Sequence, residues 1–212
     1  MFKIADLPQT LPIFPLSGAL LLPRARLPLH IFEPRYLAML DDVLRSDSRL
    51  IGMIQPVDET DDADLCRVGC AGRVTSFTET PDRTYLITLT GVARFELGER
   101  QEGFSPYIRA GANWSGFERD LKGAERDDGL QRESFLKLLA QYFEAAELEV
   151  DWDSLKQADG EMLINALAAL SPFDITDKQA LLEAPDLAHR REMLVTLMEF
   201  AVHKGSSKER LQ

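Results

Sequence analysis

Cationic side chains are in the minority in this 212-residue sequence: 24 Lys and Arg stand against 35 Asp and Glu, leaving a net charge of −11. Non-specific nucleic-acid binding draws its affinity largely from Lys and Arg neutralising phosphates, so this balance argues against a nucleic-acid partner and against anionic membranes. Cysteine is scarcer still. Cys66 and Cys70 are the only two, and their spacing is neither a Cys-x-x-Cys redox pair nor half of a four-ligand metal site, so core packing is expected. His30, His189 and His203 stand far apart, and no metal or other cofactor is expected. Long apolar runs are missing as well. The most apolar stretch, residues 11–22, is broken by Pro12, Pro15 and Gly18, short of the roughly 20 residues a membrane span needs. The first residues lack the basic and apolar regions of a signal peptide, so a cytoplasmic protein is expected.

Several catalytic signatures are also lacking. No glycine-rich loop ends in Gly-Lys-Ser/Thr, the arrangement that holds nucleotide phosphates with backbone N–H groups and a lysine. No Gly-x-Ser-x-Gly elbow occurs, and Ser17 before Gly18 reads as a turn. The acidic run over residues 58–64 lacks the alternating ligands and glycine of a calcium loop, so it reads as a solvated loop. His30, between Leu29 and Ile31 in an extended run, reads as an exposed or satisfied histidine.

What is present divides the chain in two. The first half is rich in proline and in short runs of Val, Ile, Leu, Thr and Phe, the pattern of short strands and turns. Strands are predicted over residues 11–16, 19–22, 27–32 and 50–55, with prolines placing some at edges or strand starts. One helix interrupts them. Pro34 suits a first helical position, and Tyr36, Met39, Leu40, Val43 and Leu44 follow at the three-and-four spacing of one apolar face. Cys66, Val68, Cys70, Gly72 and Val74 alternate on one face, as do Tyr85, Ile87 and Leu89, and Thr80-Pro81-Asp82-Arg83 between them reads as a tight turn. An antiparallel hairpin follows, with Gly72 and Gly91 marking bulges or bends suited to a small, partly closed barrel.

Beyond Phe117 the composition changes. Residues 119–128 form a charged connector, and the period then becomes helical. Phe135, Leu138, Leu139 and Tyr142 make one stripe, Leu163, Ala166, Leu167 and Leu170 a second, and Leu187, Leu194, Leu197, Met198 and Ala201 a third. Thr176 and Gln179 have capping-box spacing. The reading is an α+β chain: a bent β-sheet pseudo-barrel with one packed helix over residues 1–118, a helical bundle over 129–204, and a disordered polar tail over 205–212.

A resemblance sharpens this. The run Leu11-Pro12-Ile13-Phe14-Pro15-Leu16, then Leu22-Pro23, then Leu27-Pro28-Leu29-His30-Ile31-Phe32-Glu33-Pro34-Arg35-Tyr36 resembles the opening of the Lon N-terminal domain family, most of all its stand-alone bacterial members. The segments 50–56, 68–74 and 89–95 are similar to that family's successive strands, in the same order. The resemblance implies a PUA-like β domain followed by helices, and a role in recognising polypeptide. In Lon proteases, ATP hydrolysis and Ser-Lys cleavage reside in later domains that this sequence does not contain, so a non-enzymatic module with a protein or polypeptide partner is expected. The Glu33-Pro34-Arg35-Tyr36 motif is expected to be structural. Small-molecule or RNA binding through the β domain is the alternative, with Arg73, Arg83, Arg94, Arg100 and Arg109 supplying charge, and an uncharacterised hydrolase is a third reading. Candidate interaction residues are Phe77, Arg83, Tyr85, Arg94, Phe104 and Tyr107.

Overall fold

The computed structural model describes residues 3–58 and 61–209. It contains two compact units, one of Met1–Gly123 with Phe173–Leu182, the other of Ala124–Pro172 with Glu183–Gln212.

The first unit is built on β1 (Thr10–Pro15), β2 (Arg26–Ile31), α1 (Pro34–Arg45), β3 (Leu50–Ile54), β4 (Pro56–Asp58), β5 (Asp61–Leu65), β6 (Val68–Glu79), β7 (Tyr85–Arg100) and β8 (Ile108–Asn113). The main sheet runs β2-β7-β6-β3-β1-β8, and β8 also pairs with β7. That second pairing closes β7-β6-β3-β1-β8 into a barrel. β7 makes closure possible by its length: residues 85–90 pair with β2, while Glu96, Leu97 and Arg100 pair with β8. Register shifts at Ala71/Gly72 and between Val74 and Ser76 bend the β6–β7 pair, as an extra residue in one strand does. Phe95, fully buried, fills the interior with Leu11, Ile13, Leu50 and Ala110. A Cβ on Gly69 would stand 2.9 Å from its ring, so glycine is needed there for space.

α1 buries Tyr36, Met39, Leu40 and Val43, the face its spacing predicts. The strand expected over 19–22 does not form. Leu20, Leu21 and Leu22 are buried in irregular chain instead. Their segment crosses β7 at Gly91, where any Cβ would collide with the Leu22 carbonyl oxygen. It is fastened there when Arg24 N–H donates to the Gly91 carbonyl and Gly91 N–H to that of Ala25. The acidic stretch expected to be a loop is also partly ordered: β4 and β5 pair as a small antiparallel sheet, while Glu59 and Thr60 lie outside the described residues.

The charged connector holds a second departure. Glu118–Leu121 forms a 3-10 turn of the first unit in which Asp120 is buried. The segment 173–182, expected within the helical bundle, likewise groups with the β unit. It contains most of α5 (Ile175–Glu183), and its own polar groups hold it there. Gln179 Nε2 donates to the Val68 carbonyl at 3.0 Å, Gln55 Nε2 donates to Gln179 Oε1 at 3.1 Å, and Lys178 Nζ donates to the Gly18 carbonyl at 2.7 Å. Leu181 and Leu182 are buried. The expected capping box is not used: Asp174 Oδ1 accepts from Asp177 N–H at 2.8 Å, two residues before Thr176, and Gln179 is committed to the sheet.

The second unit contains α2 (Arg132–Ala145), α3 (Trp152–Gln157), α4 (Gly160–Leu170) and α6 (Leu187–Glu209). Phe135, Leu139, Tyr142, Leu163, Ile164, Leu167, Leu194 and Met198 form its buried set. Leu170, expected in the α4 stripe, is 83% exposed, because the buried face turns on Leu163, Ile164, Leu167 and Ala168. α3 was not foreseen; Asp151 caps its start, and the Arg132 guanidinium donates to the carbonyls of Leu155, Lys156 and Ala158 at its end. α6 continues to Glu209, into the segment expected to be disordered. Among the described residues no helix is long and apolar enough to cross a membrane.

Candidate functional site

Two surfaces of the β unit gather the candidate residues. The first is the part of β2, β7 and β6 that extends past the barrel. Its turn is shaped by Thr80, whose N–H donates to the Thr84 carbonyl at 2.8 Å and whose hydroxyl lies 2.7 Å from that of Thr84. Arg83 completes the turn at φ 59°, the left-handed conformation that a three-residue hairpin loop uses. Phe77 lies opposite Ile87, and Tyr85 lies between Ile31 and Glu79. Phe77 is 51% exposed, Leu86 52% and Phe32 60%. Leu86 and Phe32, just past the end of β2, thus stand in water together on one face, where such residues are normally scattered singly, while Phe77, opposite Ile87, is on the other face. His30 lies opposite Leu86, with its ring 5.5 Å from that of Phe32 and its Nε2 2.7 Å from the Thr84 hydroxyl.

Neither Phe32 nor Leu86 was among the candidates. Alternation carried the signal for Leu86: with Tyr85, Ile87 and Leu89 sharing one face, it must point the other way.

The second surface surrounds Tyr107. Tyr107 lines a cleft of about 290 Å³ with Pro8, Leu11, Pro12, Asp42, Leu50 and Arg109. It also lines a second, of about 230 Å³, with Ile13, Pro15, Arg35, Tyr36 and Pro106. The Tyr107 hydroxyl donates to Asp42 Oδ2 at 2.7 Å, so the phenol bridges the β7–β8 loop to the polar face of α1. Burial first, then the Asp42 hydrogen bond and charge, push the phenol above its ordinary value. Phe104, earlier in the same loop, is fully exposed. Arg35 pairs with Glu33 at 3.0 Å and lies 4.5 Å from the centre of the Tyr36 ring, which gives the motif at the helix start a local structural role.

Arg94 belongs to neither surface and is a correction to the candidate set. It is 2% exposed. Its Nε and Nη2 each donate to Asp120 at 2.9 Å, its Nη1 donates to the Leu182 carbonyl at 3.1 Å, and its backbone N–H donates to Asp120 as well. The Phe117 ring lies 5.0 Å from the guanidinium carbon. A bidentate pair buried this deeply positions chain segments and meets no ligand. Of the other arginines weighed for RNA, Arg73, Arg83, Arg100 and Arg109 are exposed. They divide between the hairpin and the β8 side, so no single basic stripe with stacking aromatics forms. Among the described residues no group of three or more His, Cys, Asp or Glu is placed to hold a metal; Cys70 is buried and Cys66 half-buried.

A barrel closed by a long bent strand, carrying an apolar hairpin, has relatives of known kind. The family described as the ATP-dependent protease La (LON) substrate-binding domain matches residues 10–199. The chain belongs to this family. A Lon protease 2 of Myxococcus xanthus is 29% identical over 209 residues, 91% of this chain and 24% of that protein. The chain spans about a quarter of the length of the curated Lon proteases it matches. A Lon N-terminal domain protein from Xanthomonas campestris shares the fold with a TM-score of 0.62 at 24% identity, over 88% of this chain and 97% of that one. The N-terminal domain of a Mycobacterium avium complex Lon protease does so with a TM-score of 0.65 at 16% identity, over 90% and 98%. The α+β architecture with a six-stranded sheet is therefore that of a LON substrate-binding domain.

Proposed function

We propose that this LON substrate-binding domain is a non-catalytic module that binds extended or unfolded polypeptide on the exposed apolar surface of its β hairpin. The observation that carries the reading is that Phe32 and Leu86, each more than half exposed, share one face of the hairpin: Leu86 lies opposite His30, whose ring is 5.5 Å from that of Phe32. Apolar surface held in water gains free energy when a partner covers it, by roughly 25 cal/mol per Å². The names of the relatives, proteases that act on polypeptide, point the same way.

Calorimetry with an unfolded casein tests the reading. Binding is expected to persist at moderate salt, since apolar burial is not screened as exposed ion pairs are. It is expected to weaken about ten-fold or more in a Phe32→Ser/Leu86→Ser variant, while neither ATP hydrolysis nor casein cleavage occurs. Binding that vanishes with added salt, or retention of nucleic acid alone, would overturn it.

A further inference from the structure

The outward face of the same hairpin has a charge pattern that narrows the partner, an inference that rests on the polypeptide-binding reading. Strand register places residues in rows across β2, β7 and β6. Arg26, Thr90 and Arg73 form the row nearest the barrel; Pro28, Thr88 and Ser76 form the next; His30, Leu86 and Thr78 form the third, with Phe32 just beyond. Arg26, Pro28, His30, Leu86, Arg73, Ser76 and Thr78 are exposed, whereas Ile87, Leu89 and Val74 on the opposite face are buried. The Thr75 hydroxyl donates to the Thr88 carbonyl and lies 3.0 Å from that of Thr90, so the middle of the face satisfies its own hydroxyls.

No carboxylate occupies any of these outward positions, in a chain whose net charge is −11. The nearest acids in sequence, Glu79 and Asp82, lie at the turn, and Glu33 is engaged by Arg35. The face is thus polarised along its strands, with guanidinium groups at the barrel end and apolar side chains at the turn end.

We infer that this face selects extended polypeptide segments in which an acidic residue lies about four to six positions from a large apolar one. The spacing follows from strand geometry: four residues separate Arg26 from His30, roughly 13 Å at about 3.3 Å per residue, and an extended ligand has the same rise. The acid meets Arg26 while the apolar side chain covers Leu86 and Phe32. Elsewhere the acidic surface repels an acidic segment, so this face sets where and in which orientation such a segment binds. Pro28 cannot donate a backbone hydrogen bond, and in the middle of β2 it disfavours continuous addition of a strand along that edge. The segment therefore lies on the face, running along the strand direction, and does not add to the edge.

The test uses the full chain and three labelled peptides of one length. Each carries a single Phe-Leu pair, and five residues away a Glu pair, a Gln pair or a Lys pair. At low salt the Glu peptide is expected to bind about five-fold or more tighter than the Gln peptide, with the gap closing as salt rises. Arg26→Glu is expected to reverse the order of the Glu and Lys peptides, Arg26→Gln to abolish the preference, and Leu86→Ser to weaken all three. Melting temperatures report whether each variant remains folded. If the peptides bind with no charge preference, or if Tyr107→Ala and not Arg26→Glu removes the preference, this inference fails while the polypeptide reading stands. A single-stranded oligonucleotide that binds tighter than the Glu peptide and is lost in Arg26→Glu also sinks it. If neither peptide nor unfolded casein binds the wild-type chain, the polypeptide reading fails first.

Discussion

At the scale of single residues, the most consequential pairing is one that composition concealed. Asp120 lies in a stretch whose charge predicts a solvated connector, yet its side chain is fully buried against Arg94. Removing one partner of a buried ion pair leaves the other desolvated and uncompensated. Asp120→Ala is expected to cost about 3–5 kcal/mol in urea denaturation; a loss below about 1 kcal/mol would mean that Arg94 finds water or another acceptor. The pair could not be read from sequence because β7 breaks period two there: Ala93, Arg94 and Phe95 are all buried, beside a register shift. His189 offers a pH test at an exposed site. Its Nδ1 lies 2.8 Å from Asp186 Oδ1, and this hydrogen bond, with the Asp186 charge, raises its pKa above the ordinary 6.5. A pKa raised on folding adds stability that is complete below the unfolded value and is lost as pH rises through the folded value. The melting-temperature advantage of wild type over His189→Gln is therefore expected to be larger near about pH 5.5 than near about pH 8. An advantage that is flat or grows with pH would show that the Asp186 contact does not operate in solution.

At the scale of elements, what was legible was what repeats. α1 was readable because Tyr36, Met39, Leu40 and Val43 recur on one face, and the β6–β7 hairpin because alternation flanks a proline-and-aspartate turn. The buried segment 20–22 was misread as strand, since apolar residues crossing a sheet look like apolar residues within it; only the backbone contact at Gly91 separates the two. The start of α5 was misplaced for a related reason. Ser, Thr, Asp and Asn all suit a cap, and the sequence holds two candidates, Asp174 and Thr176. Asp174→Ala is expected to destabilise by about 1 kcal/mol, and Thr176→Ala by less than about half of that, in equilibrium unfolding; the reverse order would return the cap to Thr176. Of the candidate residues, Arg83 lies at the hairpin turn, Phe77 and Tyr85 on the hairpin face opposite Leu86, and Phe104 and Tyr107 in the β7–β8 loop, whereas Phe32, Leu86 and Asp42 were not among the candidates. Phe32 lies at the end of the strand expected over 27–32, one residue past the last of β2, and Asp42 shows its role only through the Tyr107 hydroxyl it accepts from.

At the scale of the whole molecule, the order of β elements followed by helices was readable from the change of period near residue 117. The membership of 173–182 was not, because a helix of nine residues, Ile175–Glu183, gives no sign of which layer it covers, and Gln179, Lys178 and Gln55 declare themselves only through their partners. The β unit is discontinuous in the chain as a result. A ribosome delivers this protein from its N-terminus, and domains folding during synthesis complete themselves in that order. The barrel strands have all been synthesised once Asn113 is made, but the carbonyl of Leu182 that receives Arg94 and the ammonium that meets Gly18 arrive only after all of 124–172 has been translated. For that interval the nascent barrel waits with an open seat, and no single cut of the gene can yield the barrel together with the helix that fills it but without residues 124–172.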